Sequence, residues 1–508
     1  MKHWLSVLLC GLLLPVLAVA AEYHVATDGS DLFGDGSSGS PWKTISRGLA
    51  ELQAGDTLII GPGEYAGTAN FINSRLYRIP AGSRGRYTVI RAARPFSVRI
   101  TNRQPLRYHD NMLYLDGDYI HVDGIVFDMV DSPYPEYNAD ITGSYNKITR
   151  CLFRRAGDVN EYGGWLAVTG NYNLIEDSAG VGAARYGFVM GGPDSTSHRN
   201  IFRRCVGRVD YSNSNQPKAT FAVYGNNQTL DVRDALFQNC LVVDGQAGPS
   251  SSEPTYGAWY FPKNAANITL QGSMVLNTEV GYAGYFIKEQ QGENIRMANC
   301  VAWNLSGNPY VAGIRGNGPG SPLVLEHVTV GRCPLALYLD SSGETRLLDS
   351  LFYANGAFNG SDYGISLEKN NHVAGGREAA SAGPLQVDGI KVSPFLREPA
   401  LPGATVMFRY GRSGTLWGEP GYDELTREPL WPWAWEHVLR REFARRNDPP
   451  TGNVPQRNDT GRGFCSAAPG GPQSLTEYLF GIFGETVPPA YLAAPAAPEF
   501  LAATLEQD

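Results

Sequence analysis

Charge is scarce in this chain. Only 18% of its 508 residues are Asp, Glu, Lys or Arg, too few for coiled coils or long solvated helices. Several catalytic signatures are missing. No CxxC pair occurs, which argues against a cysteine zinc site. The eight histidines form no HExxH or HxxEH pattern, which disfavours a zinc hydrolase. There is no G-x-S-x-G and no P-loop. Beyond the first twenty residues, no apolar run reaches the roughly 20 residues that cross a membrane. Basic excess is absent too, since the net charge is −8. A general nucleic-acid binder would be basic, but a local basic groove for an acidic polymer remains compatible with that balance.

What the chain has is glycine (59), proline (33) and 43% hydrophobic residues. That composition predicts a large core and many turns. The chain opens with Met1-Lys2-His3, an apolar run from Trp4 to Ala20, and the small-residue triplet Ala18-Val19-Ala20. This pattern predicts a signal peptide over 1–21 and a protein exported to the periplasm or beyond. The reading divides the rest into a repeat domain over 22–400 and a C-terminal cap over 401–508.

Cysteines expose the repeat. Arg150-Cys151-Leu152, Arg204-Cys205-Val206, Asn239-Cys240-Leu241 and Asn299-Cys300-Val301 share one pattern, a polar residue, Cys, then apolar residues. Ser273-Met274 and Ser350-Leu351 fill the same slot with serine. A small residue recurring at one position predicts an inward stack of free thiols. Disulfides are the competing reading in an exported chain. Unit starts at Leu166, Phe188, Phe221, Trp259, Tyr285, Gly313 and Ala336 recur at solenoid spacing. Excess length sits in polar inserts at Asp210–Lys218 and Asp244–Tyr256. Inserts that recur at one point of a repeat map to one face, often a binding face.

Short alternating segments such as Tyr119–Phe127 read as strands. Short strands with no helices between them allow a sandwich, a propeller or a β-helix. Aligned small residues and Asn-bearing turns favour the parallel β-helix, in which each coil stacks on the next. Near the start, Ser40-Pro41 marks a helix start, and Ile45, Leu49 and Leu52 recur at helical spacing. Gly55-Asp56-Thr57 and Pro62-Gly63-Glu64-Tyr65 follow. This block resembles the opening of exported right-handed parallel β-helix proteins of the pectin-lyase-like type. That resemblance implies an all-β solenoid with an N-terminal capping helix. In the tail, Trp435–Arg446 reads as a basic amphipathic helix. Ser474–Phe483 reads as a second helix, capped by Ser474 with Glu477 at its third position. The aromatic tail is read as a C-terminal capping region. A carbohydrate-binding surface of Trp431, Trp433 and Trp435 is its alternative.

Aligning the unit starts predicts one outward column. It runs Thr169, Gly191, Tyr224, Pro262 or Lys263, Lys288, Arg315, then Leu339 or Asp340, with Asn171, Asn226, Glu289 and Asn317 in the following turn. The alignment puts Lys288 and Arg315 about one strand spacing, roughly 5 Å, apart. A lysine beside an arginine suits proton abstraction next to a carboxylate, because the neighbouring cation lowers the lysine pKa. The arginine holds the carboxylate and the enolate-like charge. Tyr285-Phe-Ile-Lys288 followed by Gly313-Ile-Arg315-Gly-Asn317 resembles polysaccharide lyase family six, which includes alginate lyases and a chondroitinase. The resemblance implies a polysaccharide lyase with Lys288 as base, Arg315 as its charge partner and calcium nearby. Lys288-Glu289-Gln290 and Arg315-Gly316-Asn317 depart from the family runs, and only Glu279 is close as an acidic ligand. Tyr224, Tyr260, Lys263, Glu289, Asn317 and Tyr338 are the predicted sugar contacts, and Arg185-Tyr186 is a further groove candidate. The alternatives are a glycoside hydrolase, for which Glu289, Asp340 and Glu368 lie near the column, an epimerase, and a non-catalytic glycan-binding protein. The expected partner is an acidic polysaccharide, with no nucleic acid and a monomeric chain.

Overall fold

The structure, a computed structural model, describes residues 20–374 except 103–110, 131–136, 157–162, 193–194, 213, 215, 226–231, 247–255, 264, 289–293, 318–321, 340–342 and 361–364. Beyond 374 it describes 386–387, 390–391, 436–444, 463–465, 472, 474–487 and 489. The predicted signal peptide, and Trp431, Trp433 and Trp435, lie outside the described residues.

Strands fall into three long sheets, of 13, 12 and 11 strands among the described residues. The chain visits the first, second and third sheets in turn, and every pairing within them is parallel, in register from coil to coil except for local shifts at Gly182/Ala183 and between Ala222 and Tyr224. That is a parallel β-helix, and the crossover rule gives it a right hand. Helices are few, so the fold is all-β.

The corner between the first and second sheets is a single turn residue in the left-handed region. Gly124, Arg150, Asp177, Arg204, Asn239 and Asn299 hold it in different coils, with φ between 49° and 77°. Next to this corner stand Cys151, Ser178, Cys205, Cys240, Ser273, Cys300 and Ser350, all buried. Ser178 is a member that the sequence comparison passed over. Its hydroxyl accepts from Cys151 N at 3.1 Å, as the Ser273 hydroxyl accepts from Cys240 N at 3.3 Å. All six cysteines in the described residues are free. Another corner carries an asparagine ladder, in which Ile120 N, Asn146 N and Asn173 N donate to the side chains of Asn146, Asn173 and Asn200 at 2.7–2.8 Å. These buried amides satisfy backbone groups that a turn leaves open.

Helix α1 (Ile45–Glu51) closes one end. Its cap is Thr44, which accepts from Arg47 N, so the helix begins four residues after the expected Ser40-Pro41 start. Ile45, Leu49 and Leu52 are buried as their spacing required. Two short helices come from the tail. Helix α2 (Glu436–Ala444) carries Val438, Leu439 and Phe443 inward. Helix α3 (Leu475–Ile482) is capped by Ser474, which accepts from Glu477 N at 3.1 Å, as predicted. Both pack along the flank of the stack, on the outer side of the second sheet. Val126, Leu152, Val206, Leu241, Met274, Val301 and Trp303 meet Leu439, Phe443, Leu475, Phe480 and Phe483 there. The described tail is thus a lateral strap. A cover over the last coil would be made of residues outside those described.

Candidate functional site

The third sheet presents a face lined with aromatic rings. Its strands alternate, so that Leu166, Phe188, Phe221, Trp259, Tyr285, Ile314 and Leu337 stack inward in register. The residues after them point outward. This outward column reads Asp140, Ala167, Val189, Ala222, Tyr260, Phe286, Arg315 and Tyr338. Asp210–Lys218 and Asp244–Tyr256 each connect a strand of the second sheet to one of the third.

The register corrects the predicted column. Arg315 pairs with Phe286 and Tyr338, whereas Lys288 pairs with Asn317. Lys288 and Arg315 are therefore diagonal neighbours, about 7–8 Å apart at the backbone rather than 5 Å. The slip is two residues, and a shift of two keeps a side chain on the same face. Both positions belong to the outward face of adjacent strands, Ala283–Lys288 and Ala312–Asn317. Tyr224 pairs with Lys263 through a register irregularity in the strand pair. Of Lys288, Lys263 and Asn317 only the strand positions are described; Glu289, Asn226 and Asp340 lie outside the described residues.

Arg315 is half-buried on an aromatic shelf. Its guanidinium lies 4.4 Å from the Tyr338 ring centre, 4.7 Å from Tyr282 and 5.5 Å from Phe286. Such cation–π contacts fix the plane of the fork. Tyr224 and Tyr338 are half-buried and border the face. Tyr260 is buried, with Phe286 stacked on it at 5.3 Å and Tyr186 at 6.4 Å. Its ring is part of the shelf's packing and not an open stacking surface. Arg185 is also tied in: its Nε donates to Pro217 O at 3.1 Å and its guanidinium lies 4.6 Å above Tyr186. Burial pushes the Tyr186 hydroxyl up to about 12, and Arg185 partly opposes that shift.

Sequence reasoning missed Lys218. It stood there as the end of a polar insert, but it is the first residue of the strand Lys218–Tyr224. It is 1% exposed, and no described residue gives its ammonium a hydrogen bond or an ion pair. Burial alone lowers its pKa to about 8. Lysines are almost never buried unless paired. Its place at the end of a polar insert gave no sign of burial.

Glu368 is not near this face. It pairs with Leu347 in the first sheet, so it leaves the set of carboxylates for a hydrolase. Glu279 is exposed in a short bridge between Gln246 and Ser306. Among the described residues, no three His, Cys, Asp or Glu side chains come together. No helix among the described residues is long and apolar enough to cross a membrane.

No protein-family model matches the chain, and no curated protein matches it. Solved structures do match in part. The chain is similar to pectate lyase Pel9A at 16% identity and a TM-score of 0.44, over 81% of this chain and 95% of that one. It is similar to the PL6 family polysaccharide lyase Pedsa3628 from Pseudopedobacter saltans at 16% identity and a TM-score of 0.45, over 64% and 80%. The A-module of the mannuronan C-5 epimerase AlgE6 from Azotobacter vinelandii matches at 12% identity and a TM-score of 0.39, over 65% and 94%. These are likenesses of coil stacking. The parallel β-helix assignment rests on the strand register itself.

Proposed function

We propose that this is an exported carbohydrate-active protein that cleaves an acidic, uronate-containing polysaccharide by β-elimination on the outward face of the third sheet. The observation that carries the reading is Arg315, a permanent cation held on a shelf of Tyr282, Phe286 and Tyr338 one strand from Lys288. Aromatic faces suit sugar rings, and a fork-shaped cation suits a carboxylate.

In this reading Arg315 binds the uronate carboxylate and lowers the cost of charge spreading onto it. Lys288, as the neutral amine, takes the C5 proton. The C5–H electron pair becomes the C4–C5 double bond, and the C4–oxygen bond breaks. The departing glycosyl oxygen gains a proton from a nearby acid, for which Tyr338 is the candidate on the Arg315 shelf. Tyr224, Lys263, Asn317 and Glu289 are assigned to sugar contact, with Tyr260 as the ring beneath them.

Ultraviolet absorbance during incubation with a panel of uronic-acid polymers tests this. The new conjugated double bond should raise absorbance. Lys288→Ala should lower the rate by about 10²–10⁴-fold, and Arg315→Met by about 10²–10³-fold. A flat trace on every polymer would sink the lyase reading. New reducing ends without absorbance would then indicate a hydrolase, and C5 inversion without cleavage an epimerase. Binding without turnover would leave a glycan-binding protein.

A further inference from the structure

The corner between the second and third sheets repeats one left-handed turn residue in five successive coils. Asp244, Asn277, Asn304, Arg332 and Ala354 hold it, with φ of 49–54° in every case. Each of the first four donates its backbone N–H to the coil that follows, at 2.9–3.1 Å. Side chains on the first three rungs are consumed. The Tyr478 hydroxyl of α3 donates to Asp244 and accepts from Asn277 Nδ2 at 2.6 Å, and Asn304 Nδ2 donates to Asn277 Oδ1 at 2.7 Å.

The fourth rung breaks the pattern. The Arg332 side chain makes no hydrogen bond or ion pair with any described residue, and its Nε is buried without a partner. The guanidinium lies 5.6 Å from the Trp303 ring centre. The next rung is Ala354, whose methyl group is too short to fill the space. A cavity of about 330 Å³ results, lined by Leu305, Ser306, Gly307, Arg332, Cys333, Pro334 and Ala354. That is the lower end of ligand-sized cavities, about 300–1,000 Å³. An arginine Nε buried with no acceptor costs stability unless something supplies one.

We propose that this cavity is a second anion site, separate from the Arg315 shelf, which takes the carboxylate of a single acidic sugar residue. Arg332 meets the carboxylate as a fork, the Ser306 hydroxyl is available to a ring hydroxyl, and Leu305, Pro334 and Ala354 face the apolar side of the sugar. The anion site stands on the cavity alone; the choice of a uronate rests on the lyase reading. It gives the protein a hold on an acidic chain away from the reacting bond.

Site-resolved modification with phenylglyoxal, read by mass spectrometry, tests it on the whole protein. Free glucuronate at about four times its Kd should slow labelling of Arg332 about fivefold, while glucose and inorganic sulfate should not. Calorimetry with glucuronate should show that binding survives Arg315→Met and is lost in Arg332→Met. Equal protection by sulfate would overturn the acidic-sugar assignment, and no protection by any of the three would overturn the site. Failure of the lyase reading looks different: polymers would give no absorbance, whereas Arg332 protection by glucuronate would persist.

Discussion

Lys218 is the residue whose environment conflicts most with its chemistry. Its folded pKa of about 8 lies below the ordinary 10.5 because burial penalises the ammonium. Between those values the unfolded chain binds more protons than the folded one. Stability therefore rises with pH across that window, and the penalty is fully present below about pH 8. Lys218→Met should raise the thermal midpoint at pH 7 by roughly 2 °C, and the gain should shrink towards pH 10. A midpoint difference that stays constant with pH would show that the ammonium carries no such penalty. The residue scale is also where the sequence is least legible. The outward side of the third sheet could be anticipated because alternation survives a two-residue slip. The pairing of Arg315 could not: the register sets Ile314, not Gly313, opposite Tyr285 and Asn317, not Arg315, opposite Lys288, and variable insert lengths hide such slips.

At the scale of elements, the strap depends on a few buried polar groups. Asp244 accepts from Phe464 N at 2.9 Å and from the Tyr478 hydroxyl. Arg208 is buried between Asp210 and the strap, where it donates to Phe443 O at 2.9 Å and lies 3.1 Å from the Cys465 sulfur. Arg99 and Arg154 meet Glu442 in the same way. Removing one partner of such a set leaves a buried group unsatisfied, at a cost of about 1–3 kcal/mol. Asp244→Ala should expose the 436–487 segment to protease while the coils keep their circular dichroism. Unchanged cleavage of that segment would show that apolar packing alone holds it. Both strap helices were legible from spacing and caps, Ser474 and Glu477 above all. Their seat on the flank was not, because an amphipathic face states that it must be covered without stating where.

For the whole molecule, cohesion comes from nearest-neighbour coils. The asparagine ladder illustrates this, since each rung satisfies the backbone of the coil before it. Asn173→Ala removes the acceptor for Asn146 N and the donor to Gly143 O. It should cost about 1–3 kcal/mol, and amide exchange should speed most in the coils around 146 and 173. Uniform acceleration along the chain would instead mean that the stack opens as one unit.

In-register stacking has a consequence for how such a chain can change over generations. Sites on one face are separated by whole coils, and each coil adds about 4.8 Å. Gaining or losing a coil would alter the reach between Arg315 and any earlier site by that step, while the ends and the local turns stay as they are. Reach on this scaffold is therefore counted in integers. A lineage adapting to longer or shorter partners would show duplications and deletions of one full turn, not gradual drift in loop length.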